Sequence, residues 1–151
     1  TSKNTANDPY CIAHNRPYEE LDADLKSGKV ARYNFITPNL CNDMHDSCAP
    51  INDSITQGDT WLSKEIPKIM ASDAYKNNGA IFVTWDEGSG GDGPVGMMVV
   101  SPLAKPGGYT NKIPYTHSST LRTMQDIFGV KPYLGDAANA TNLSDLFTKL
   151  N

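Results

Sequence analysis

The order of strands and helices along this chain predicts an α/β domain built on a largely parallel sheet. Three observations predict it. Short β-branched and aromatic runs at residues 30–37, 80–85 and 95–100 read as strands. Residues 59–72 and 116–128 carry apolar side chains at helical spacing, between and after those runs. Gly and Pro clusters punctuate the joins, so the elements alternate rather than merge.

Taken in order, residues 1–17 are rich in Asn, Asp and Pro and read as an irregular segment that packs on a part of the domain outside this sequence. Leu21 and Leu25 lie one helical turn apart, and Gly28 follows as a stop, which predicts a short helix from Tyr18. A strand over 30–37 closes at Pro38 and is followed by a polar loop over 39–56. Asp59 is a good N-cap for a helix to Ser72, with Trp61, Leu62, Ile66, Ile69 and Met70 on its apolar face and Pro67 as a potential kink. The run 80–85 reads as a buried core strand, and 95–100 as a second one ending at Ser101 and Pro102. Thr116 opens a helix whose buried stripe is Leu121, Met124, Ile127 and Phe128 and whose end is Gly129. A last helix over 143–150 would dock Leu146, Phe147 and Leu150. Three strands are fewer than the five or so usual in a sheet covered on both faces, so residues 18–151 read as the later part of a larger domain.

The 151 residues are 38% hydrophobic, enough for a packed core, and the net charge is −4 with 13 scattered Lys and Arg. That charge pattern offers no footprint for nucleic acid or an anionic membrane, and no apolar stretch is long enough to span a bilayer. The polar start Thr1-Ser2-Lys3-Asn4 is unlike a signal peptide, so export would require a signal already removed. Cys41 and Cys48 flank a compact loop that a disulfide could close, leaving Cys11 to pair with a segment outside this sequence; the alternative is three buried free thiols in a cytosolic protein. N-x-[ST] sequons at Asn52, Asn139 and Asn142 are short motifs of little weight. Together these signs lean towards an oxidising compartment, secreted or periplasmic.

Three polar clusters follow strand ends or open a helix. Asp86 and Glu87 end an apolar run and precede Gly88-Ser89-Gly90-Gly91-Asp92-Gly93. Ligand sites in α/β sheets gather at the carboxyl ends of strands, and two adjacent acids there suit a hard cation. They also suit the polar start of a surface turn. Asn42, Asp43, His45 and Asp46 form the second cluster, in which His45 would position or protonate a leaving group, or cap a turn. His117 stands at a helix start, where main-chain N–H groups favour an anion, or is an exposed residue before a capping serine. No role attaches to His14.

Four blocks in this order, Tyr33-Asn34-Phe35-Ile36-Thr37-Pro38-Asn39-Leu40-Cys41-Asn42-Asp43-Met44-His45-Asp46, Gly58-Asp59-Thr60-Trp61-Leu62, Thr84-Trp85-Asp86-Glu87-Gly88 and His117-Ser118-Ser119-Thr120-Leu121, resemble the C-terminal half of the phosphoesterase family. That family holds acid phosphatases and phospholipases C within the alkaline-phosphatase-like superfamily. The resemblance implies a three-layer α/β/α sandwich of alkaline-phosphatase-like type, this chain being a C-terminal part of it, and a metal-dependent phosphoester hydrolase. It implies a divalent metal on Asp86 and Glu87, whether Ca, Zn, Mg or Mn. His45 would lie near the phosphate, with Asn42 and Asp43 on the substrate and Asp46 in support, and His117 would share in catalysis. The family's N-terminal half supplies a Glu-Asn pair and a hydroxyl nucleophile, and no matching block occurs here. The implied partners are a phosphate-ester substrate and the N-terminal half of the same domain, with Cys11 as a candidate disulfide link. An acid phosphatase-like phosphomonoesterase fits the blocks best. A phospholipase C-like phosphodiesterase and a calcium-stabilised binding module, its cation wrapped by residues 89–93, are the alternatives.

Overall fold

The computed structural model describes residues 7–88, 90 and 93–150, in two compact units that divide between Asn77 and Asn78. In the first unit, Asp8 caps α1 (Pro9–His14) by accepting the Tyr10 N–H, and Pro9 opens it with its φ already helical. The stretch expected to be irregular therefore contains a short helix, because cap and proline occur together. A 3-10 turn at Tyr18–Glu20 leads into α2 (Leu21–Ser27), which ends on Gly28 at φ 68, a left-handed conformation that glycine adopts without strain.

Residues 30–37 form no strand among the described residues. A strand needs a partner ladder for its main-chain groups, and without one the segment bends at Arg32 and Tyr33 and leaves Phe35 83% exposed. Propensity alone does not make a strand. The long helix α3 (Ser54–Ala71) starts six residues earlier than Asp59 would place it, because the Asp53 carboxylate takes the Thr56 N–H at 2.7 Å. It continues through Pro67, and α4 (Asp73–Lys76) follows with Ser72 as its cap. The buried residues of α3 are Gln57 and Gly58, while Met70, expected on its apolar face, is exposed.

In the second unit, β1 (Ile81–Thr84) pairs with β2 (Met97–Val100) in the register Ile81 with Val100 and Thr84 with Met97, and the pair is antiparallel. The expected parallel arrangement needs a crossover element, whereas the Gly-rich link between these strands contains no helix among its described residues. Both strands are half-buried rather than core strands. Helix and strand are thus mixed as an α/β reading requires, on a sheet of two strands among the described residues.

The core of this unit is Ala137, Leu143 and Phe147, packed with the polar residues Ser119, Thr123 and Gln125 of α5 (His117–Phe128). The helix bounds match expectation, with Gly129 closing it at φ 66, but Leu121 of the expected stripe is 40% exposed. Met124, Ile127 and Phe128 of that stripe are half-buried, and the hydroxyls and amide lie deeper because each has partners. Thr123 donates to Ser119 O at 2.7 Å and accepts Leu143 N–H at 2.8 Å, and Gln125 bonds Pro132 O and Leu134 N–H. The expected last helix is only a 3-10 turn, Leu143–Leu146. Beyond it Phe147 bridges Ala104, and Thr148 N–H bonds Leu103 O at 2.8 Å, so pairing replaces helix.

Candidate functional site

Residues 39–48 make a tight loop fastened at several points. Asn39 O accepts the N–H groups of Asn42 and Asp43 at 2.8 and 3.0 Å, and Leu40 O accepts that of Asp46 at 2.7 Å. The disulfide Cys41–Cys48 closes it with its Cα atoms 5.7 Å apart. Within the loop Asp43 Oδ1 accepts the His45 N–H at 2.9 Å, and His45 Nδ1 bonds Asp46 Oδ1 at 2.7 Å. A carboxylate only accepts, so Nδ1 carries the proton and the ring is held in one tautomer. Asn42, Asp43, His45 and Asp46 are thus brought together, with the imidazole 71% exposed.

Gln57 was invisible to sequence reasoning. The loop leans on it: Nε2 donates to Cys41 O at 2.7 Å and Asp46 O at 3.1 Å, and Oε1 accepts the Cys48 N–H at 2.7 Å. The signal that would have found it is Asp53 as the cap, which puts Gln57 on the helix face turned to the loop.

In the second unit, Asp86 and Glu87 follow β1 as exposed residues. Thr84 Oγ1 donates to Gly96 O at 2.8 Å, and Trp85 covers Gly96 so closely that a Cβ there would stand 2.4 Å from the indole. Asp86 Oδ1 accepts the Glu87 N–H at 3.0 Å. His117, the first residue of α5, reaches back to this rim, its Nε2 lying 2.7 Å from Asp86 O. The carbonyl can only accept, so Nε2 is the protonated nitrogen. The structure therefore joins two of the predicted site groups, Asp86 with Glu87 and His117. Ser89, Gly91 and Asp92 lie outside the described residues, and with them the wrapping of a cation by residues 89–93.

Among the described residues no three His, Cys, Asp or Glu side chains group as a metal site. Asp86 and Glu87 fit a hard cation by donor chemistry, but two carboxylates make only part of a shell that takes six or so oxygens. Elsewhere the charged groups tie structure together. Asp145 accepts from Lys105, Tyr109 and Asn111, and these bonds hold its carboxyl down at about 2. A groove along α2 and α3, lined by Tyr18, Asp22, Leu25, Glu65 and Lys68, contains none of the predicted site residues. There burial, then the bond to Glu65, pushes the Tyr18 hydroxyl above its usual range.

The phosphoesterase family model matches residues 2–131. A phosphatidylinositol-3-phosphatase of Mycobacterium tuberculosis is 35% identical over 114 residues, covering 75% of this chain and 35% of the relative. A phosphate-repressible acid phosphatase of Penicillium chrysogenum is 28% identical over 74% of this chain and 26% of its own length. An acid phosphatase of Aspergillus niger is 28% identical over 83% of this chain and 30% of its own. The chain thus spans about a third or less of these relatives. No solved structure matches it.

Proposed function

Because the chain belongs to the phosphoesterase family, we propose that it is part of a metal-dependent hydrolase of phosphate esters, of acid phosphatase-like phosphomonoesterase type. Asp86 and Glu87 would hold the divalent cation, which when bound supplies positive charge to a phosphoryl group. His45, oriented by Asp46, would donate to the phosphoryl or leaving-group oxygen, and Asn42 and Asp43 would shape the substrate side of that loop. His117 would steady the acidic rim.

The observation that carries this reading is the bond from His117 Nε2 to Asp86 O, because it links two blocks by which the chain resembles the family. The relatives named above are all phosphatases by name, which favours a monoester over a diester. The nucleophile would come from polypeptide outside these residues, since the chain matches only 26–35% of those relatives. Cys11, a half-buried thiol, is the residue through which a disulfide to that portion would run. The disulfide Cys41–Cys48 supports a secreted or periplasmic setting.

The test is hydrolysis of p-nitrophenyl phosphate and bis-p-nitrophenyl phosphate by the full-length protein, before and after chelation. The monoester should be the better substrate, chelation should stop turnover and a divalent cation restore it. Asp86→Asn should lower kcat/KM by about 10²-fold or more. Undiminished turnover in Asp86→Asn overturns the reading.

A further inference from the structure

We infer that Gln57 positions the His45–Asp46 pair, by clamping the loop on both sides of it against α3. The inference rests on the catalytic reading of His45 proposed above. Gln57 is 5% exposed, so an amide without partners there would suffer the full cost of desolvation. Both its polar atoms instead engage the main chain of the loop. Cys41 O, just before the pair, and Asp46 O, within it, take the two N–H donations, and Cys48 N–H, just after it, supplies the third bond.

Gly58 makes the clamp possible. A Cβ at that position would stand 2.4 Å from Met44 Cγ and 3.3 Å from Asn42 O, so the loop lies on the helix only because no side chain intervenes. Met44 sits at φ 75, in the left-handed region that disfavours a side-chain-bearing residue, and the next residue is His45. The turn that aims His45 is therefore held from beneath, by Met44 against Gly58, and from its ends, by Gln57.

The exposure of the pair makes this anchoring matter. The His45 and Asp46 side chains are 71% and 49% exposed and bonded to each other, so the course of the main chain that carries them bears directly on where they point. That main chain is held by Gln57, by the disulfide and by the loop's own hydrogen bonds. Gln57 touches no reacting atom in this account. It acts through the loop, and catalytic geometry is sensitive to displacements on the order of an ångström.

The experiment compares full-length wild type, Gln57→Glu and Gly58→Ala, below the unfolding temperature of each. Gln57→Glu keeps the acceptor for Cys48 N–H and removes both donations while preserving shape. Three quantities are read: kcat and KM for p-nitrophenyl phosphate, the His45 imidazole resonance assigned through a His45→Gln spectrum, and the unfolding midpoint. The expected result for Gln57→Glu is a fall in kcat of about 10²-fold with KM changed less than about twofold, and a displaced His45 resonance. Gly58→Ala should behave alike, and Met44→Ala added to it should recover much of the loss. A folded Gln57→Glu with wild-type kcat and an unmoved His45 resonance overturns the inference. If Gln57→Glu fails to fold, Gly58→Ala with its Met44→Ala rescue is decided by the same readings. If His45→Gln itself turns over normally, the catalytic reading of His45 falls, and the resonance alone then decides whether Gln57 places it.

Discussion

His117 Nε2 lies 2.7 Å from the main-chain oxygen of Asp86, across 31 positions of sequence. The bond ties the first residue of α5 to the end of β1, so the helix start and the acidic rim form one construction. An imidazole that donates through Nε2 to a carbonyl resists rotation and keeps the turn at Asp86 in place.

On the proposed assignment of the cation to Asp86 and Glu87, replacing His117 with Ala should weaken its binding by about 10–100-fold, the range typical of outer-shell partners of a metal site. Titration calorimetry of the full-length protein reads it. Equal affinity in wild type and His117→Ala would remove His117 from the rim's support.

Removing the disulfide by Cys41→Ser with Cys48→Ser should cost about 2.5 kcal/mol in the chain-entropy account, given the short loop it closes. Urea unfolding measures the change. A midpoint that stays put would show that closing this short loop does not restrict the unfolded chain as the chain-entropy account requires.

Thr123 is fully buried and serves both Ser119 O and Leu143 N–H. Thr123→Val keeps the volume and strands the Leu143 N–H, an expected loss of about 1–3 kcal/mol. Thermal denaturation checks this, and a loss below about 0.5 kcal/mol, the range of ordinary surface changes, would show that the N–H finds another partner.

Asp145 titrates at about 2 in the folded chain because Lys105, Tyr109 and Asn111 all donate to it, against about 3.9 for an unperturbed Asp. A depressed carboxyl contributes stability that is present above the unfolded value and is lost as pH falls through the folded one. The difference in unfolding temperature between wild type and Asp145→Asn should thus be largest above pH 5 and shrink between about pH 4 and pH 2. A difference that stays constant across that window would show that the three donors do not act on the charged form.

Much of the local architecture was legible. The helix from Thr116 to Gly129 and the stop at Gly28 rest on caps and turns whose partners lie within a few residues. Asp53 and Asp59 were both chemically able to cap α3, and only the bond from Thr56 N–H chose between them. Likewise a buried stripe of Leu121 and its neighbours was the natural reading of α5, yet Ser119, Thr123 and Gln125 lie inside, because Thr123 and Gln125 find partners at Leu143, Pro132 and Leu134 and Ser119 takes the N–H of its own capping residue Thr116.

By itself the sequence determined the family, through blocks that keep their order, and the local stops, caps and loop cysteines that need nothing distant. The tertiary structure alone decided that β2 runs antiparallel to β1, that residues 30–37 form no strand among the described residues, that Gln57 carries the loop, and that His117 bonds Asp86. The physical reason is where the compensating groups lie. A cap is satisfied by its own turn, whereas a strand edge, a buried amide or an imidazole is satisfied by main-chain groups that only folding brings near.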